Sequence, residues 1–167
     1  IIPLEPMWEQ LKRIIKPNGA IVLFGSEPFS SAVRSSNYKM FKYDWVWDKN
    51  RVTGALNAKK QPLRCYEVIS VFYLKQPVYK PQGLIDFIKN NSTGVLKNGR
   101  SHETTGKINQ TENGKYKQTR AGYPKNIIRM SSEVGNVHPT QKPVALMEYL
   151  IKTYTNENET VLDFTMG

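Results

Sequence analysis

Cysteine is all but absent from this chain. Its one thiol, Cys65, has no partner within the sequence, which excludes an intrachain disulfide and fits a reducing compartment. Long apolar runs are missing as well; none reaches the roughly 18 residues that a membrane span requires, so no membrane partner is expected. The two histidines, His102 and His138, stand far apart with no ligand-spaced neighbours, and no metal site is indicated. Neither a Ser/His/Asp nor a Cys/His nucleophile set is visible. Acid is scarce: 14 Asp and Glu stand against 24 Lys and Arg, a net charge of +10. That imbalance points to a polyanionic partner, with nucleic acid the first candidate. The opening residues, Ile1 to Glu5, lack an initiator Met and the basic start of a signal peptide. A fragment of a longer, cytoplasmic protein is the expectation.

What is present suits an α/β domain with a real core. Met7, Leu11, Ile14 and Ile15 form one apolar stripe, which predicts a helix over residues 3–16. Pro17-Asn18-Gly19 ends it. Residues 20–24 are a continuous apolar run, the pattern of a strand buried on both faces as in a parallel sheet. Gly25-Ser26-Glu27-Pro28 would then be a loop at the strand's carboxyl end, the edge where open α/β sheets bind ligands. A short helix over 29–37 precedes two β-rich runs, 39–47 and 66–74. Phe41, Tyr43, Trp45 and Trp47 share one face at a period of two. The second run reads as buried on both faces, and Cys65 as a buried residue beside it. The intervening loop, 48–64, shows no crossover helix, so the two strands are expected to be antiparallel neighbours.

Residues 76–130 differ in character. Ten Lys and Arg against three acids give this segment +7 of the chain's +10, and residues 99–122 hold almost nothing apolar. A loop-rich, basic segment is expected there, with residues 126–130 returning as a strand to the main body.

The end of the chain is the most specific part. His138-Pro139-Thr140-Gln141-Lys142-Pro143 feeds a helix whose stripe is Val144, Met147, Ile151 and Tyr154, with Leu150 beside it. After the polar turn at 156–159, residues 160–163 read as a strand that ends in Asp163, with Gly167 four residues on. A strand entering a glycine turn offers oxygen acceptors and close backbone approach together. This combination resembles the DNA aminomethyltransferases, which methylate the exocyclic amine of adenine or cytosine with S-adenosylmethionine. Within them it resembles the permuted group, whose target-recognition region precedes the cofactor motif.

The resemblance covers most of the chain and implies a partial Rossmann-like methyltransferase sheet with an inserted basic target-recognition segment. It divides the chain into a catalytic-side half (1–75), a target-recognition segment (76–130) and a cofactor-binding half (131–167). It implies that Asp163, Phe164, Thr165 and Gly167 line the methionine part of the cofactor, with His138, Thr140 and Lys142 holding the same end. Trp45-Val46-Trp47-Asp48-Lys49 resembles the family's Trp-x-Lys element, which implies Trp47 and Lys49 at the target-base pocket. Core packing is the competing role for Trp45, Trp47 and Phe164, a solvated helix start for Lys142, and a solvated loop for Glu27. Lys97, Arg100, Lys107, Lys115, Lys117 and Arg120 would contact phosphates of double-stranded DNA, and Asn109, Gln110 and Gln118 could read base edges. The family's acid-Pro-Pro-aromatic motif is absent, so no catalytic residue is named. The parent protein is expected to be a bacterial or phage enzyme methylating adenine N6, as a homodimer or alone, with or without a restriction partner; the fragment itself is expected to be inactive. A cytosine-N4 enzyme, an RNA- or protein-directed methyltransferase and a non-catalytic, prophage-derived DNA-binding remnant are the alternatives.

Overall fold

The computed structural model describes residues 3–86, 120–132, 138 and 141–165. The chain divides into two compact units, residues 1–82 with 125–167, and residues 83–124. In the first, helix α1 (Leu4–Ile14) opens behind Pro3, with Glu5 in its first turn and Lys12 and Arg13 in its last, signs that suit the helix dipole. Its buried residues are Trp8 and Leu11, while Ile14 is 46% exposed. The expected stripe is therefore rotated toward Trp8, whose ring packs on Phe72 and whose indole N–H donates to Ser36 Oγ at 2.8 Å. Gly19 permits the turn that follows, because a Cβ there would lie 2.6 Å from Ile15 Cδ1.

Strand β1 (Ile21–Gly25), helix α2 (Phe29–Ser36), strand β2 (Phe41–Thr53) and strand β3 (Arg64–Phe72) follow in order. The second unit's described part is the short antiparallel pair β4 (Ile85–Asp86) and β5 (Arg120–Ala121). Strand β6 (Ile127–Arg129) and helix α3 (Val144–Tyr154) complete the first unit. The large sheet has the order β1-β3-β2-β6. β3 runs antiparallel to both β1 and β2, and β6 is parallel to β2. The carboxyl ends of β1, β2 and β6 therefore share one edge of the sheet.

Alternation along the strands builds a core on each face. Ile21 and Phe72 join Trp8, Leu11, Val33 and Met40 beneath α1 and α2. Trp45, Trp47, Ile69 and Val71 join Ile128 of β6 and Leu146, Leu150 and Tyr154 of α3 on the other face. Val68 to Phe72 are all buried, Ser70 included, as expected for a strand covered on both faces. The pairing of β2 with β3 is antiparallel as expected, and residues 127–129 return to the sheet as an expected strand, parallel to β2.

Five local expectations are corrected. β1 is not flanked by a parallel neighbour; β3 doubles back without a crossover helix and pairs with it antiparallel. β2 runs on to Thr53 past an irregularity after Asp48, so the expected loop 48–64 is shortened and contains a single short 3-10 helix, Ala55–Asn57. Cys65 is only half-buried. In α3 the buried residues are Leu146, Leu150, Thr153 and Tyr154, whereas Val144 and Ile151 are 66% and 39% exposed. Tyr154, common to both stripes, stays buried: its hydroxyl accepts from Trp45 Nε1 at 2.7 Å and lies 2.9 Å from Tyr43 Oη. Residues 160–163 form no strand, and Val161 and Leu162 are 51% and 60% exposed. Among the described residues no strand pairs with this stretch, and an extended backbone without a ladder has nothing to hold it.

Candidate functional site

At the edge shared by the carboxyl ends of β1, β2 and β6, separate parts of the chain bring five side chains together. Phe24 comes from the end of β1, Trp47 and Lys49 from β2, Glu67 from the start of β3, and Lys142 from the segment entering α3. Trp47 and Glu67 are direct cross-strand partners, so their side chains leave the sheet on the same face. Trp47 is 2% exposed; its indole N–H donates to the Met130 carbonyl at 2.8 Å, and Phe24 meets it edge-on with centroids 6.5 Å apart.

Two ammonium groups lie over this aromatic floor. Lys49 Nζ is 5.5 Å from the Trp47 ring centroid. Lys142 Nζ is 5.3 Å from that of Phe24 and 6.0 Å from that of Trp47. Ring quadrupoles attract such cations by about 0.5–2 kcal/mol, more as water is excluded. Glu67 joins the two: Oε1 accepts from Lys49 at 2.6 Å, and Oε2 is 3.3 Å from Lys142 Nζ. All three charged side chains are only 18–21% exposed. Among the described residues the cluster holds two cations and one anion, a balance that suits an anionic group of a ligand.

Trp47, Lys49 and Lys142 are thus neighbours, although sequence reading assigned the first two to a base pocket and the third to a cofactor loop. His138 is exposed, and its carbonyl accepts from the Gln141 N–H at 3.1 Å, next to Lys142 in the chain. Asp163, Phe164 and Thr165 are exposed, and Asp163 Oδ1 accepts from the Thr165 backbone N–H at 2.9 Å and from its hydroxyl at 3.1 Å. Thr140 and Gly167 lie outside the described residues, as do Lys97, Arg100, Lys107, Lys115 and Lys117. Asn109, Gln110 and Gln118 lie outside them too. Arg120 is 60% exposed, with Asp86 Oδ1 3.9 Å from its Nε.

Glu27, beside the site in the sequence, has a structural partner set. Its carboxylate accepts from the Ser31 hydroxyl and backbone N–H and pairs with Arg34, which also reaches Asp44 at 3.0 Å. The Ser31 hydrogen bond is the main cause that holds the Glu27 carboxyl below the usual range. Glu67 is the residue that sequence reading missed. Its only signal is a lone acid opening an apolar strand, which acquires meaning once the β2–β3 register sets it opposite Trp47.

Among the described residues no cluster of three or more His, Cys, Asp and Glu could hold a metal, and no helix is long and apolar enough to cross a membrane. No curated protein matches the sequence. Solved structures similar in fold include the crystal structure of the M1.HpyAVI–SAM complex, 22% identical, with a TM-score of 0.55. The match covers 95% of this chain and 63% of that one, so the chain spans less than two thirds of the relative's length. It supports a mixed α/β, Rossmann-like sheet. The family model N6_N4_Mtase, described as DNA methylase, matches residues 3–167. With nearly the whole sequence matched, the chain belongs to the DNA methylase family.

Proposed function

We propose that this chain carries part of the cofactor and target-base sites of an enzyme that transfers a methyl group from S-adenosylmethionine to an exocyclic amine in double-stranded DNA. The observation that carries the reading is the Lys49–Glu67–Lys142 cluster over Phe24 and Trp47, at the carboxyl edge of the sheet in a chain of the DNA methylase family.

The residues present fit the cofactor. The Lys142 ammonium suits its carboxylate, and the exposed Asp163 carboxylate suits its ammonium. His138, Thr140, Phe164, Thr165 and Gly167 are proposed to complete that end. When bound, the cofactor supplies a methyl group on a sulfonium centre. Lys49, carried on β2 two residues past Trp47, is proposed to hold a phosphate beside the target nucleotide, while the buried Trp47 forms the pocket's floor beneath it. Lys97, Arg100, Lys107, Lys115, Lys117 and Arg120 are proposed to neutralise DNA phosphates, giving affinity that falls with salt. The 6-amino group of adenine is the proposed target, taken over cytosine N4 as the commoner activity of enzymes that this chain resembles.

The test is to express the complete reading frame containing this chain and measure transfer of labelled methyl from S-adenosylmethionine to duplex DNA, followed by nucleoside analysis. Label in N6-methyladenine supports the reading, and label in N4-methylcytosine corrects the base. Duplex binding without cofactor binding or transfer would overturn it in favour of a non-catalytic remnant.

A further inference from the structure

We infer that Glu67 is a positioning residue: one carboxylate that fixes Lys49 and Lys142 over the Trp47 and Phe24 rings and couples the two sides of the site. This rests on the methyltransferase reading above. Lysine is a point charge on a flexible stem with rotatable donors, so a ring face alone does not fix where its ammonium sits. The two stems also start from unrelated parts of the chain, one from β2 and the other from the segment before α3.

What they share is Glu67. It stands on the central strand β3, opposite Trp47 in the ladder, so the sheet sets the position of its carboxylate relative to the rings. Its oxygens are divided, Oε1 to Lys49 at 2.6 Å and Oε2 to Lys142 at 3.3 Å. With the side chain only 18% exposed, water does little to screen the cluster. Without the negative charge, two like charges would face each other above the same aromatic surface, and each stem is long enough to swing into solvent. One residue then governs two binding events: the ligand carboxylate proposed for Lys142 and the nucleic-acid phosphate proposed for Lys49.

The test is a pair of double-mutant cycles on the complete protein, with binding as the readout. Calorimetry gives the S-adenosylmethionine affinity of wild type, Glu67→Gln, Lys142→Met and the double variant. Fluorescence anisotropy gives duplex affinity for wild type, Glu67→Gln, Lys49→Met and their double. Glu67→Gln alone is expected to weaken each ligand about five- to tenfold, and to change affinity less than about twofold once the matching lysine is gone, because contacting residues are non-additive. Equal effects in both backgrounds, or a lowered melting temperature with unchanged affinities, would reduce Glu67 to a structural residue and overturn the inference. Should Glu67→Gln fail to fold, Glu67→Asp, which keeps the charge but shortens its reach, takes the same cycles with the same outcomes. Wild-type protein that binds no S-adenosylmethionine would instead bring down the underlying reading, an outcome distinct from additive cycles in a protein that binds it.

Discussion

Tyr154→Phe removes one oxygen and leaves the ring packing intact, which makes its cost calculable. The Tyr154 hydroxyl accepts from Trp45 Nε1 at 2.7 Å and exchanges a hydrogen bond with Tyr43 Oη at 2.9 Å. Trp45 is 2% exposed, so its N–H would be left buried without an acceptor, at about 1–3 kcal/mol. The Tyr43 hydroxyl is half-buried and can turn toward water, adding about 0.5 kcal/mol. The expected loss is about 2–3 kcal/mol. For a protein of this size it moves the urea midpoint down by roughly 1–2 M at unchanged slope. Tyr43→Phe leaves the Trp45–Tyr154 bond in place and is expected to cost only about 0.5–1 kcal/mol. A Tyr154→Phe midpoint within roughly 0.3 M of wild type, or equal losses in the two variants, would refute the reasoning.

The same network makes stability fall at alkaline pH. Burial pushes the Tyr154 phenol well above its ordinary value of 10.0, and burial raises Tyr43, Tyr79 and Tyr149 as well. The folded state then keeps protons that the unfolded state has lost, so stability is complete below about pH 10 and declines as pH rises beyond it; Tyr154→Phe should flatten that decline in urea titrations between about pH 9 and 11. Leu146→Ala, at a fully buried position under the sheet, is expected to cost about 2–5 kcal/mol by the same titration. Gly122 has φ +79°, and a Cβ there would sit 2.4 Å from the Gly83 carbonyl oxygen; Gly122→Ala should therefore open the β4–β5 pair, seen as faster amide exchange at Ile85 and Ala121. Replacing Lys115 and Lys117 together by Ala should lower the slope of log affinity for duplex DNA against log salt by about 2, and an unchanged slope would remove both from the DNA contact set.

Much of the fold was legible because its signals are local. The turn at Pro17-Asn18-Gly19, the apolar run of β1, the alternation in β2 and the largely apolar second half of β3 each name an element with little competition. The helix rotations were not legible. α3 has apolar residues on nearly all sides, and period alone cannot choose between a stripe through Val144 and Ile151 and one through Leu146 and Leu150. The choice falls to long-range packing, in which Leu146 and Leu150 join Trp45, Ile69 and Val71 on the sheet. α1 shows the same rule, since the Trp8 indole N–H finds its acceptor 28 residues away at Ser36.

The site divides along the same line. Trp47, Lys49 and Lys142 stood out through motifs, and motifs assign each residue to its own stretch of sequence. That is why Lys142 was expected at one end of a cofactor and Lys49 at the target base. Sheet geometry makes them neighbours instead, since the β2–β3 ladder sets Glu67 opposite Trp47, with Lys49 and Lys142 on its two oxygens. No motif marks Glu67, because a single acid in an apolar strand gains its role from the residues across the ladder. Its position also bears on the order of binding. A ligand anion approaching Lys142 meets a lysine already paired with Glu67 and must share or displace that carboxylate. Either event changes the charge felt by Lys49, Glu67's other partner. If the geometry sets the chemistry, cofactor and duplex will not bind independently, and the factor by which one alters the affinity of the other must be the same in both directions.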